Sequence, residues 1–215
     1  MLVEKDINNF WLLKWLDEFL IGHKGFICGG CFKNIFNHEK VKDLDVFFRS
    51  GEDWEDAVQY FDSMTPGYNG EDKRNETYNF YYENENVKAY KHIEKGTVVE
   101  LCCKTFGTPK EIIDNFDFTI TKFAFYKEEV EDEIGEKHVE DKIICDDKFF
   151  EHLHLKRLVV DNKIPFPMGT FERMLRYAKY GYFPCRETKI KILQAIRELD
   201  ERQITMPEVF YEGWD

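Results

Sequence analysis

The chain has 215 residues, of which 43% are hydrophobic and 16% aromatic, and its 42 acidic against 30 basic side chains give a formal net charge of −12. Such richness in large apolar groups excludes a disordered chain, and the length allows one domain or two small ones. The negative balance excludes broad, nonspecific adhesion to nucleic acid, and no apolar run approaches the roughly 20 residues of a membrane span, so no membrane partner is expected.

Along residues 6–21, Ile7, Phe10, Trp11, Leu13, Trp15, Leu16, Leu20 and Ile21 fall mostly at threes and fours, which predicts an amphipathic helix ended by Gly22 and Gly25. Lys5, Asp6, Lys14, Asp17 and Glu18 interrupt the apolar run that a signal peptide needs, so a cytoplasmic protein is expected. GFIC then predicts a short buried strand, Gly29-Gly30 a turn, CFKNIFNH a two-turn helix, and VKDLDVFF a strand with Val41, Leu44, Val46 and Phe48 as its apolar contacts. Of the six cysteines, Cys28 and Cys31 form a CxxC, but no second Cys or His pair has zinc-ligand spacing. Reduced thiols at a tight strand-to-helix turn are expected.

WEDAVQYF predicts a helix with Trp54, Val58 and Phe61 on one side, and PGYNGEDKRNET a polar loop. Strands are expected at TYNFYY, NVKAYKHI and TVVELCC, a Pro-started helix at GTPKEIIDNF, and a further strand over FDFTITKFAFY. EEVEDEIGEKHVEDKIICDD reads as a solvated acidic segment with a hairpin turn at Gly135. From about residue 147 the pattern turns helical, at DKFFEHLHLKRLVV, TFERMLRYAKYG and ETKIKILQAIRELDE, with Pro165 and Pro167 between the first two. The two-part pattern predicts an α+β head over residues 1–146, with a mixed sheet and helices on one side, and a short helical neck-like domain over 147–215. Residues 154–192 carry nine Lys/Arg against three acids, a local +6 that leaves −18 for the rest, so a polyanion should meet this later segment.

Asp43 and Asp45 carry the chemistry. Two apart in a strand, they present carboxylates on one face with backbones about 7 Å apart, and such hard oxygen donors suit Mg²⁺ or Mn²⁺. A pair of these ions can clamp the attacking and leaving oxygens of phosphoryl transfer. Gly29-Gly30 before a helix lets backbone N–H groups approach phosphate, and Lys33 follows one turn later.

This stretch, a glycine pair followed by Asp-x-Asp, resembles the signature of the DNA polymerase β-like nucleotidyltransferase superfamily. IDNFDFTITKFAFY is similar to the Arg-Arg-Asp-Phe-Thr-Ile-Asn-Ala block of class II CCA-adding enzymes and bacterial poly(A) polymerases, and VVELCCKTFGTPKEI to the strand and helix before it. TFERMLRYAKYGYF resembles the first neck helices, and the likeness runs with gaps from about residue 25 to 195. It implies a nucleotidyltransferase head and neck, with Asp43 and Asp45 on two metal ions and Gly29 and Gly30 at the triphosphate. It makes Glu100 a candidate third catalytic and metal-binding carboxylate, and Asp117 an organiser of the nucleotide site. The implied reaction moves NMP from an NTP, ATP or CTP favoured, to an acceptor hydroxyl, foremost an RNA 3′ end such as that of tRNA.

The departures are specific. Lys33-Asn34 stands for the family's Arg-Asp, Asn115-Phe116 for its paired arginines, and Gly169-Thr170-Phe171-Glu172-Arg173 for Glu-Asp-x-x-Arg, which keeps the arginine and loses the templating acid. Arg173 and Arg176, with Tyr177 and Tyr180 beside them, could hold a nucleobase or form a basic neck surface. Transfer to a protein or small-molecule acceptor, as in toxin-like relatives, and a non-catalytic nucleotide- or RNA-binding module stay open.

Overall fold

The computed structural model describes residues 1–6, 10–67, 76–132, 134–161 and 163–199. Ile7 of the predicted first helix, residues 68–75 of the polar loop and residues 200–215 of the helical part lie outside them.

Apolar residues decide where the strands sit. Phe26–Cys28 (β2) and most of Asp43–Phe47 (β3) are buried, and they occupy the middle of an eight-stranded sheet. The others are Leu2–Asp6 (β1), Tyr78–Glu83 (β4), Val87–His92 (β5), Val98–Cys102 (β6), Phe123–Glu131 (β7) and Lys137–Asp146 (β8), in the order β1-β8-β7-β2-β3-β6-β5-β4. β3 and β6 run parallel and the remaining pairs antiparallel, which makes the sheet mixed and the fold α+β.

The helices are Cys31–Phe36 (α1), Gly51–Ser63 (α2), Pro109–Asp114 (α3), Phe149–His154 (α4), Pro167–Lys179 (α5) and Arg186–Arg197 (α6). Ser50 caps α2 by accepting from the Asp53 amide, and a full Thr108–Glu111 capping box with Pro109 starts α3. One large core joins Leu13, Leu16 and Phe19 to Leu44, Val46, Phe61, Tyr90 and Phe123, and continues into Met174, Tyr177, Tyr182 and Ile192 of the later helical part. A smaller core on the other face of the sheet packs Ile112, Ile113 and Phe116 of the α3 segment against Phe26, Cys28, Phe47 and Ala124. Helices therefore flank both faces, where the sequence predicts one.

Four further predictions are corrected. The first element is a strand, β1, which pairs with β8 about 140 residues away, and helix starts only at a 3₁₀ segment, Trp11–Leu20. No local spacing signals such a distant pairing. The strand expected over FDFTITKFAFY begins at Phe123, because Thr119–Thr121 forms a 3₁₀ turn with the Thr119 amide bonded to Val159 O. The acidic segment is not merely solvated: it is the long β7–β8 hairpin, turned at Gly135 (φ +83°), with Lys127 bonded to Asp141 and Asp17 at 2.7 Å each. The helix expected over DKFFEHLHLKRLVV stops at His154, after which Lys156 takes φ +52° and Arg157–Leu158 (β9) pairs with Phe183–Pro184 (β10).

All six cysteines are free. Burial pushes the Cys28 and Cys31 thiols well above their usual range, with Asp45 nearby adding to it. Among the described residues no helix is long and apolar enough to cross a membrane.

Candidate active site

The acids of the site are held by register. Leu44 and Val46 of β3 point into the large core, so Asp43, Asp45 and Phe47 must face the α3 side. A slip of one residue would drive both aspartates into the core, and burying the two apolar side chains instead is worth about 1.5–3 kcal/mol each. Across the sheet, Asp45 stands opposite Cys28 of β2 and Glu100 of parallel β6. Glu100 stands opposite Ala89, and Ala89 opposite Tyr82. Because Ala89 is only a methyl group, the Tyr82 hydroxyl reaches over it and donates to Glu100 Oε1 at 2.7 Å. Burial first, and that bond second, raise the Tyr82 phenol above its ordinary range.

Asp43, Asp45 and Glu100 line a cleft of about 490 Å³ together with Gly30, Lys33, Lys40, Lys42, Arg176, Tyr177 and Tyr180. Glu39 adds a fourth acid, against four basic groups. Such a wall mixes carboxylates that suit a divalent cation with cations that suit phosphate. Lys33 is only 6% exposed, its ammonium 5.5 Å from the Tyr180 ring centre, 5.8 Å from that of Tyr182 and 3.7 Å from Glu39. Burial lowers the Lys33 pKa and Glu39 opposes the shift. Lys156 lies 4.6 Å from the Tyr182 ring centre and donates to its hydroxyl, as does Asn37 at 2.8 Å.

The other predicted site residues are placed differently. Gly29 takes φ +96°, the left-handed conformation that favours glycine, and its amide donates to Phe123 O at 3.0 Å, so that N–H serves the β2–β7 edge. Asp117 and Arg173 meet each other. Arg173 Nε and Nη2 donate to Asp117 Oδ2 at 2.8 and 2.6 Å, Thr170 Oγ1 donates to the same oxygen at 2.9 Å, and the Phe118 amide donates to Oδ1 at 2.8 Å. Both are buried, at 3% and 4% exposure, and tie the Asp-Phe-Thr block to α5. Arg176, three residues on, lines the cleft.

Sequence reasoning missed Lys40 and Lys42, and it read Tyr82 with Tyr78, Phe80 and Tyr81 as alternating in the sheet or stacking on a primer, not as the partner of Glu100. The first two carry no motif, and Tyr82 becomes visible only once three strands are laid in register. His152 is buried and hydrogen-bonded to Thr119 at 2.7 Å. Among the described residues, no three carboxylate, thiol or imidazole groups close on one point able to hold a metal ion.

A family model described as "Gabija anti-defense 2 family protein" matches residues 4–156, which is most of the chain. The chain belongs to the Gabija anti-defense 2 family. A relative named "Gabija anti-defense 2" from Bacillus phage SPbetaL7 is 23% identical over 198 residues, covering 91% of this chain and 43% of the relative. The chain thus spans less than half the length of the curated relative it matches. Among solved structures, a CCA-adding enzyme in complex with CTP superposes with a TM-score of 0.63 at 16% identity, over 99% of this chain and 49% of that one. The Thermotoga maritima CCA-adding enzyme complexed with tRNA gives 0.56 at 16% identity, over 100% and 52%. These likenesses establish a nucleotidyltransferase-like fold for this Gabija anti-defense 2 family member. The family itself is an anti-defense one, which the sequence resemblance to CCA-adding enzymes does not name.

Proposed function

We propose that the chain is a metal-dependent nucleotidyltransferase that moves NMP from an NTP to an acceptor hydroxyl and releases pyrophosphate. The observation that carries this reading is the cleft in which Asp43, Asp45 and Glu100 face Lys33, Lys40, Lys42 and Arg176. The three acids are all hard oxygen donors, which fits Mg²⁺ or Mn²⁺. Asp43, Asp45 and Glu100 would hold the ions between them, with no single ion taking all three. Two such ions, when bound, would supply Lewis-acid charge and lower the pKa of the attacking hydroxyl.

The chain's own residues do the rest. Lys33, Lys40, Lys42 and Arg176 orient the triphosphate, with ATP or CTP favoured, and Gly30 lets it approach the backbone. Tyr177 and Tyr180 exclude water from one side. The acceptor oxygen bonds to the α-phosphorus as the bond to the bridging oxygen of the β-phosphate breaks. The hydroxyl proton passes to Glu100, oriented for this by Tyr82. An RNA 3′ end, tRNA included, is the proposed acceptor, supported by a fold shared with enzymes solved with CTP, ATP and tRNA. Base choice would not run through an acid and arginine template, since the acid is absent and Arg173 is taken up by Asp117. A second reading, transfer to a protein or small-molecule hydroxyl of the opposed defence, is favoured by the family name.

Incubation with Mg²⁺, each α-labelled NTP in turn and total RNA, resolved on a denaturing gel, tests the reading. Label should enter an RNA band and vanish in the Asp43→Ala, Asp45→Ala double variant. Equal transfer by that variant would refute the metal assignment, and label on protein alone would select the second acceptor. A folded double variant that retains its anti-defense effect would identify a non-catalytic module.

A further inference from the structure

Next to the cleft, and sharing Glu39 and Lys40 with it, lies a groove of about 640 Å³ walled by Trp11, Trp15, Ile35, Lys95 and Thr97. The 3₁₀ segment turns Leu13, Leu16, Phe19 and Leu20 inward and leaves Trp11 70% and Trp15 37% exposed, four residues apart. Trp15 is held edge-on to Phe19 at 5.7 Å, and Lys95 is fixed at the rim by its ion pair with Glu18 and by the Phe19 ring 5.6 Å from its ammonium.

We propose that this groove seats the unpaired 3′ end of a nucleic-acid acceptor, its bases stacked on Trp11 and Trp15 and its phosphates directed to Lys40 and Lys95. The inference rests on the nucleotidyl transfer proposed above and assigns the surface on which its acceptor binds. Three observations favour this occupant. The groove continues into the cleft: Lys40 belongs to both, Lys42 and Asp43 follow it, and Thr97 of the groove precedes Val98, which pairs with Asp43. A strand lying in the groove therefore ends beside the acids. Its rim offers phosphate two ammonium groups in a chain of net charge −12, Lys40 beside Glu39 and Lys95 already paired with Glu18, which a phosphate would have to displace. Open, flat indoles accept any base by its π face, whereas a peptide anchor needs a closed, desolvated pocket, and the Trp11 indole lies open.

The test is fluorescence-anisotropy binding of a short single-stranded RNA to the full chain, without NTP, for wild type, Trp11→Ala and Trp11→Phe. Because Trp11 is exposed, both variants should melt like wild type. Trp11→Ala should weaken RNA binding about tenfold and Trp11→Phe should recover most of it. The affinity for NTP with Mg²⁺, read by equilibrium dialysis, should not change. Unchanged RNA affinity in Trp11→Ala overturns the proposal, as does loss of a protein partner with RNA binding intact. Trp11-dependent RNA binding in a wild type that transfers no nucleotide would keep the groove and sink the proposed reaction. Transfer to RNA with Trp11-independent binding would do the reverse.

Discussion

At the scale of single residues, the two arginines of α5 separate cleanly. Arg173 and Asp117 form a buried pair in which two guanidinium N–H groups and the Thr170 hydroxyl converge on one carboxylate oxygen, and removing one partner strands the other without solvent. Arg173→Ala should cost about 3–5 kcal/mol in urea unfolding. Arg176→Ala, in the cleft, should leave the urea midpoint near wild type and raise the KM for NTP; the opposite pattern would reverse the two roles. Tyr82→Phe deletes the bond to Glu100, a charge-assisted contact worth about 1.5–3 kcal/mol. If Glu100 must be held in place, kcat falls about tenfold, on the order of that energy. Histidines give the pH dependence. His23 accepts from the Gly25 amide at Nδ1 and faces Phe19 O from Nε2, a neutral tautomer, and burial lowers its pKa from 6.5 to about 4. The unfolded chain therefore binds the proton first, so stability is full above about pH 6.5 and drains as pH falls toward about 4, by at most about 1.4 kcal/mol per unit. Burial lowers His92 and His152 as well, in the same direction. Urea midpoints at pH 7 and pH 5 measure this, and equal midpoints would refute it.

At the scale of elements, legibility followed the range of the forces. β2, α1, β3 and α3 were readable because their signals are local: apolar alternation, a glycine pair, a Thr-Pro start with Glu at the third position. β1 and most of β8 were not, since an edge pairing of Glu4 with Ile144 or Lys5 with Ile143 leaves no trace in either segment alone. The same division runs through the site. Asp43, Asp45 and Glu100 could be proposed from strand periodicity and resemblance, whereas the use of Asp117 by Arg173 depends on how α5 docks. Local design is testable at Gly25, where an added Cβ would lie 2.5 Å from Val46 Cγ1 beside β3. Gly25→Ala should destabilise by about 1–3 kcal/mol, read as a lower thermal midpoint.

For the whole molecule, the cleft gathers parts from distant stretches: the α1 turn and loop, β3, β6, and α5 of the helical part, whose side chains share one core with the sheet. A ligand bound there bridges all of them and adds its binding energy to folding. NTP with Mg²⁺ at about a hundred times its Kd should stabilise the wild type by about 2.7 kcal/mol, visible as a raised Tm, and leave the Asp43→Ala, Asp45→Ala variant unmoved. A shift of equal size in both proteins would place the nucleotide elsewhere.

The edge strand β4 carries a register shift between Phe80 and Tyr82, with Tyr90 opposite the first and Ala89 opposite the second. Tyr81 is the extra residue of this bulge, and its ring meets Tyr82 at 5.5 Å. A shorter chain lacking Tyr81 would restore a regular ladder and still set Tyr82 against Ala89, within reach of Glu100. Removing one residue at this edge would therefore leave the bond to Glu100 in place, whereas replacing the side chain that follows would break it.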